Sequence, residues 1–314
     1  LLFDGEEEKG SPTLLHFLDF LSEIENSALK NCVDAYYPAT KQDRTGKSVI
    51  KLGYKGILSF SVRASSRNAE PHSAYSAMIP NPTRDLVSFL HEIHSGEEFG
   101  IDCLKQPYEP SASEEELMDA LNERLDLEKI KEKASILETQ EEDPKKAFMQ
   151  YLFDPTFNIS TLKGGFLGEG IKNMVANEAE CHVDIRFAHD VSIDQIFREI
   201  KDKRDLFMQK SKSHLELTKN IGYEGSRVRR NSILARSLIR SADMLNIETE
   251  LWPLSAAAAP LSVLKRKMDL DFIVGGLGIG GNAHAPNEFI QLSSILNARL
   301  SYCHFLQNYA ALYS

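Results

Sequence analysis

The sequence predicts an α/β protein interrupted by a smaller α+β unit of ferredoxin-like order, and three observations carry that prediction. Toward both ends of the chain, helix-spaced apolar residues alternate with short apolar strands, the habit of an α/β domain. Between Lys55 and Gly225 the order is instead strand, helix, charged helical insert, strand, strand, helix, strand, which is the ferredoxin-like arrangement. Finally, 314 residues with 42% hydrophobic content suffice for about two cores. The predicted division is residues 1–56 and 224–314 for the α/β domain and 57–223 for the smaller one, with the insert near 100–150.

Each element has its own pattern. Leu1–Phe3 reads as a strand, Asp4–Gly10 as a turn and Pro12–Glu23 as a helix. Ser11 can cap that helix, Pro12 suits a first turn whose N–H needs no partner, and Leu14, Leu15, Leu18 and Leu21 recur at helical spacing. "CVDAYYPA" is the next strand and "TKQDRTG" a polar loop. "GILSFSV" alternates as a strand and "PTRDLVSFLHEI" is a helix, while Ser111 to Lys146 has helical composition with mostly solvated faces. "FNISTLKGG" and "EAECHVDIRF" are strands, "IDQIFREIKDKRDLF" a helix and "HLELTKNI" a strand. The chain then returns to α/β style with the helix "SILARSLIRSADML", the buried strand "DFIVGG" and the long helix "SSILNARLSYCHFLQNYAALY".

Composition narrows the function. A formal charge of −10 with no Lys/Arg stripe argues against nucleic acid as a partner. The longest apolar runs fall well short of a membrane span, so the chain reads as soluble with no membrane partner. Cys32, Cys103, Cys181 and Cys303 stand far apart with no CxxC, and no secretory segment opens the sequence, which together suggest a cytoplasmic location.

Four stretches could carry chemistry. "GEEEKGS" sets adjacent carboxylates on a turn before a helix, where one can bind a metal while its neighbour accepts a proton; a solvated acidic turn at a helix N-terminus is the plainer account. "GGLGIGGNAHAPNE" formally matches GxGxxG through Gly276, Gly278 and Gly281, but a dinucleotide site needs a helix to open there, and "NAHAPNE" reads as loop. His284 in that loop can bind a metal or simply sit in the loop. "EPHSAYSAMIPNP" holds His72 and Asn81 near helix starts, where they could donate to an oxyanion or merely connect two elements. Arg186 shares a strand face with His182 and Asp184, opposite Val183, Ile185 and Phe187. It could bind a carboxylate in bidentate fashion or pair with a neighbouring acid. GxSxG, HExxH and P-loop motifs are absent.

In this order the stretches resemble the di-zinc aminoacylase, carboxypeptidase and dipeptidase family, which includes carnosine-type dipeptidases, acetylornithine deacetylase and succinyl-diaminopimelate desuccinylase. The resemblance runs over nearly the whole chain. "EEEKGS" looks like the family's Glu-Glu-x-Gly-Ser turn, which implies Glu7 as general base and Glu8 as a metal ligand. "EPHSAYSAMIPNPTRDLV" resembles the segment whose histidine, here His72, reaches the partner subunit's active site, with Asn81 assisting. "DPTFNISTLKGGFLGEGIKNMVANEAECHVDIRF" is similar to the most distinctive segment of the smaller domain, its arginine falling on Arg186, and "AHAPNE" to the motif in which His284 binds metal. The long insert favours the dipeptidase branch.

The resemblance implies a catalytic α/β domain of zinc-peptidase type interrupted by a ferredoxin-like lid through which two chains form a homodimer. It implies two Zn2+ per active site, with Co2+ or Mn2+ as alternatives. The substrate would be a small peptide or N-acyl amino acid, cleaved at an amide bond beside a free carboxylate. Three features depart from the pattern. The family's His-x-Asp motif and bridging Asp stand upstream of the glutamate pair, and this sequence begins at Leu1, in the middle of the family's catalytic domain. A family carboxylate ligand six positions after Asp34 is here Thr40, a poor ligand while protonated. The Gly-Ser loop that cups a substrate carboxylate is replaced by Ala256–Ala259 before Pro260. These departures motivate a second reading, a metal-free, non-catalytic relative that serves as a dimeric scaffold.

Overall fold

A computed structural model describes residue 5, residue 11, and residues 13–24, 28–43, 45–124, 126–281 and 286–314. In chain order these form α1 (Leu14–Glu23), β1 (Asp34–Pro38), β2 (Ser48–Lys51), β3 (Gly53–Tyr54), β4 (Gly56–Ser65), α2 (Pro82–Ile93) and α3 (Asp102–Lys105). The helices α4 (Ala112–Asn122), α5 (Leu127–Ala134) and α6 (Pro144–Phe153) come next, then β5 (Thr156–Gly164), β6 (Glu178–Phe187), α7 (Ile193–Lys210), β7 (His214–Tyr223) and β8 (Ser226–Arg227). The remainder is α8 (Ile233–Asp243), β9 (Thr249–Trp252), α9 (Ser262–Met268), β10 (Asp271–Gly275), β11 (Gly280–Gly281), β12 (Phe289–Ile290) and α10 (Ile295–Tyr313). The expected strand at Leu1–Phe3 and the turn after it lie outside the described residues, apart from Gly5. The first helix begins at Leu14 rather than Pro12, with Thr13 and not Ser11 in the cap position. Ser11, at φ 52°, instead offers its carbonyl to Leu14 N–H at 3.1 Å.

The chain divides into two units: residues 1–55, 110–153 and 225–314 form one, and 56–109 with 154–224 the other. The insert, residues 110–153, lies with the first unit. Its charge pattern places it in the smaller unit with mostly solvated faces, yet it groups with the first unit and carries a buried inner stripe of Leu117, Met118, Leu121, Phe148, Leu152 and Phe153. Leu117 packs with Ile50, Val228 and Leu234, and Phe148 meets Trp252 edge-on at 5.2 Å. Glu114, in a capping box with Ser111, receives Arg227 Nε at 3.0 Å. The dense charge of the helices' outer faces masks this apolar stripe in the sequence.

The second unit is a four-stranded antiparallel sheet in the order β5-β6-β4-β7, the ferredoxin-like arrangement. Strand alternation sorts its faces. Leu58, Phe60 and Val62 of β4 and Cys181, Val183, Ile185 and Phe187 of β6 are buried in one core with residues of α2 and α7. Those helices start where side chains relieve their orphan N–H groups: Asn81 Oδ1 accepts from Arg84 N–H and Ser192 Oγ from Gln195 N–H. Burying each such large apolar side chain is worth about 1.5–3 kcal/mol.

In the first unit β1 runs parallel to β10, Asp34 opposite Asp271 and Pro38 opposite Gly275, while β2 runs parallel to β9. β2 and β9 escape a sequence reading because four residues each give too little alternation to register. Leu234, Ala235 and Leu238 of α8 and Phe305 of α10 share a core with Ile50 and Ile273, and Leu14 and Leu18 of α1 pack with Val263 and Leu264 of α9.

Candidate active site

Parallel strands direct their carboxyl ends, and the loops that leave them, toward one side, the usual place for ligands in an open α/β sheet. Beyond Pro38 and Gly275 the paired strands β1 and β10 continue into loops 39–43 and 276–281. Those loops are tightly joined. Gln42, 8% exposed, donates its N–H to Gly278 O at 3.0 Å and receives Gly278 N–H on its Oε1 at 2.8 Å. Its Nε2 donates to Gly46 O at 2.8 Å. Two serines complete the clamp: Ser301 Oγ takes Leu277 N–H at 3.1 Å and Ser294 Oγ takes Ile279 N–H at 2.9 Å.

This accounts for the glycines without a nucleotide. Gly276 and Gly278 have φ of +135° and +116°, and a Cβ on Gly278 would stand 2.8 Å from Thr40 Cγ2. The N–H groups of 277, 278 and 279 are all engaged by protein side chains, and β11 rather than a helix comes next. A phosphate cradle needs those donors free and a helix N-terminus behind them. The dinucleotide alternative therefore fails here.

Glu7, Glu8 and His284 lie outside the described residues, although Gly281, three positions before His284, closes the clamped loop. Thr40 is exposed. Asp43, the nearest acid in the loop, does not replace it: its Oδ1 accepts Thr45 N–H at 2.9 Å, Thr45 Oγ1 at 2.7 Å and Lys47 N–H at 2.9 Å, so it closes its own turn. The alanine run is held by the chain itself, with Lys55 N–H shared between Ser255 O at 3.0 Å and Ala257 O at 3.2 Å. Among the described residues no three His, Cys, Asp or Glu side chains stand close enough to cage a metal. Carboxylate and imidazole suit zinc in kind, but Glu8 and His284 alone are fewer than the three protein ligands a catalytic zinc takes. The described donor set does not by itself fit the ion.

Asp34, at the opposite end of β1, is structural. Burial pushes its carboxyl above the usual range, Asp271 adds to that, and Tyr309 Oη donating at 2.6 Å works against it. Sequence reasoning missed Gln42, Ser294 and Ser301. A glutamine in a polar loop gives no signal, but the two serines lie seven residues apart on α10 and its entry, two helical turns on one face, and that spacing is readable.

The remaining candidates lie in the second unit. His72 is exposed, and its Nδ1 accepts Ala74 N–H at 3.1 Å. That bond fixes the neutral tautomer with the proton on Nε2, leaving a donor aimed away from the backbone. Asn81 has its carbonyl committed to capping α2, and its Nδ2 makes a long 3.5 Å contact to Ser76 Oγ. Arg186 sits on the open face of the sheet with Asp184 and His182, as alternation predicts, and its Nε is 3.9 Å from Asp184 Oδ1. His72 and Arg186 are not brought together. The His72 backbone bridges Met174, ahead of the start of β6, whereas Arg186 is the next-to-last residue of that strand. At about 3.3 Å per residue the two ends are about 25 Å apart.

Residues 52–206 match the M20 peptidase dimerisation domain. In that stretch the chain carries a domain of the M20 peptidases. Its fold as a whole is theirs too. An M20 family metallo-carboxypeptidase from Sulfolobus solfataricus superimposes with a TM-score of 0.83 at 23% identity, covering 97% of this chain and 69% of that one. The dipeptidase Dug1p of Saccharomyces cerevisiae gives 0.75 at 16% over 98% of this chain and 64% of that one. Human carnosine dipeptidase 1 gives 0.71 at 17% over 98% and 65%. The chain thus spans about two thirds of the length of these peptidases. No curated protein matches the sequence.

Proposed function

We propose that this chain acts in the metal-dependent hydrolysis of an amide bond beside a free carboxylate, as a dipeptidase, carboxypeptidase or N-deacylase acting on a small peptide or N-acyl amino acid. The observation that carries this is the clamped pair of loops at the carboxyl ends of β1 and β10, which leads within three residues to His284. Glu8 and His284 are the metal-holding residues of this reading, and zinc, or cobalt or manganese in its place, would polarise the scissile carbonyl when bound. Glu7 takes the proton of the attacking water and passes it to the leaving amine. Arg186 holds the substrate carboxylate through its guanidinium.

His72 donates from Nε2 to the developing oxyanion, with Asn81 contributing its remaining N–H. A dipeptide is far shorter than the 25 Å or so between the ends of β6, so one lid cannot offer both His72 and Arg186 to the same substrate. That geometry supports a homodimer in which His72 serves the partner's site, in keeping with the dimerisation domain. Among the described residues no helix is long and apolar enough to cross a membrane, and a cytoplasmic location remains part of the proposal.

Thr40 and the self-satisfied Asp43 favour a second reading, a metal-free dimeric scaffold. Metal content and dipeptide turnover of the purified protein separate the two. Stoichiometric metal with turnover, lost in Glu7→Ala while the metal stays, supports the hydrolase. Absence of both supports the scaffold.

A further inference from the structure

The lid carries a polar concavity that the hydrolytic reading does not use. Where β4 ends and β7 begins, a cleft of about 760 Å³ opens, with Ser65, Ser66, Arg67 and Asn68 on one side and Lys212 and His214 on the other. Strand pairing builds it, because Ser65 stands opposite His214 in the β4–β7 register and Ser66 N–H is anchored on Asn177 O at 2.9 Å. The other wall is equally fixed. Ser211 and Ser213 donate their hydroxyls to Asp85 Oδ2 at 2.9 and 2.7 Å, and Ser213 N–H donates back to Ser211 Oγ at 3.0 Å.

Charge singles the cleft out. The chain has 46 acids for 36 lysines and arginines, yet the cleft is lined by Arg67 and Lys212 and by no carboxylate. Arg63, nearby on β4, is paired with Glu178. Arg67 and Lys212 make no ion pair among the described residues, and the side chains of Ser65, Ser66, Asn68 and His214 make no hydrogen bond among them. No acid lines the cleft. The nearest, Asp85, is 7% exposed and has its charge taken up by two serine hydroxyls and by Arg84 Nη2 at 3.2 Å. A guanidinium, an ammonium, an imidazole, two hydroxyls and an amide line one cleft with no side-chain partner among the described residues, and their common complement is an anion with several oxygens.

We propose that this cleft binds a small molecule bearing a phosphate group. The volume exceeds that of a bare ion and lies in the range of metabolite sites. A guanidinium and an ammonium lining the same cleft suit phosphate, the one as a fork and the other as a point charge. The hydroxyls and the amide supply further donors. The strongly acidic balance of the chain selects against long polyanions such as nucleic acid, which would meet its repulsion elsewhere.

Titration calorimetry of the full chain with inorganic pyrophosphate, at low and at physiological salt, tests this. The expected result is saturable one-to-one binding that weakens with salt and falls by at least about tenfold, near 1.4 kcal/mol, in Arg67→Ala/Lys212→Ala. Both residues are exposed, so the variant should melt with the parent, and Lys212→Glu should abolish binding. No saturable binding would overturn the proposal, as would an affinity indifferent to the double substitution. Tighter binding of citrate than of pyrophosphate would overturn the phosphate assignment.

Discussion

Replacing Gln42 by leucine isolates the clamp between the two loops. The substitution keeps the buried volume and removes two hydrogen bonds, the one accepted from Gly278 N–H at 2.8 Å and the one donated to Gly46 O at 2.8 Å. Gly278 is buried, so its N–H would be left without a partner at a cost of about 1–3 kcal/mol. Gly46 is partly exposed, its carbonyl can turn to water, and that loss is nearer 0.5 kcal/mol. The backbone bond from Gln42 N–H to Gly278 O survives. Gln42→Leu should therefore lose about 2–3 kcal/mol of unfolding free energy. Urea denaturation monitored by far-ultraviolet circular dichroism reads this directly, with an unchanged slope showing that the same surface is exposed. A loss below about 0.5 kcal/mol would mean that the clamp contributes nothing net, and that the loop before His284 is held by its backbone bonds alone.

Other perturbations rest on the same geometry. Gly278→Ala forces a side chain onto φ +116° and into Thr40 Cγ2; a loss of about 1–3 kcal/mol is expected in thermal melts, and an unchanged melting temperature would contradict it. Burial alone would raise the Glu114 carboxyl, but Ser111 N–H, the Arg227 guanidinium and the Ser111 hydroxyl outweigh it and hold the group below 4.5. A depressed folded value means that this stabilisation is present above 4.5 and is lost as pH falls through the folded pKa. Arg227→Met should accordingly lower the urea midpoint at pH 7 and flatten its decline in acid, and parallel curves for parent and variant would refute the link. Burial pushes the Cys181 thiol up to about 11, and burial with Glu199 pushes Cys103 up to about 12, whereas Cys32 and Cys303 are exposed. Ellman's reagent at pH 8 should titrate Cys32 and Cys303 in the native protein and the other two only after unfolding.

The lid is the most legible part of the molecule, and for a physical reason. β6 carries ten residues of unbroken alternation and α2 an unambiguous Asn-Pro start, so their ends coincide with those read from the sequence. The insert misleads because its outer charge is dense while its buried stripe is divided among short helices. The active-site candidates are visible through motif resemblance, since Glu7, Glu8 and His284 have no periodicity to betray them. What clamps the loops after β1 and β10 is less legible: Ser294 and Ser301 show only through their seven-residue spacing, and the hydrogen bond of Gln42 across 236 residues leaves no trace in local pattern.

Such separations also bear on how the chain folds. The Tyr36 hydroxyl reaches Gly275 O, 239 residues away, so pairing β1 with β10 in an otherwise unfolded chain would close a very long loop. The lid shortens that loop. Its first strand begins beside the end of its last, Ile57 opposite Tyr223, so a lid folded in advance leaves roughly 70 residues of chain to be closed. The saving in closure entropy is about 1 kcal/mol, and the topology therefore favours an order in which the lid forms before the discontinuous α/β unit closes on the two stretches of chain that the lid draws together.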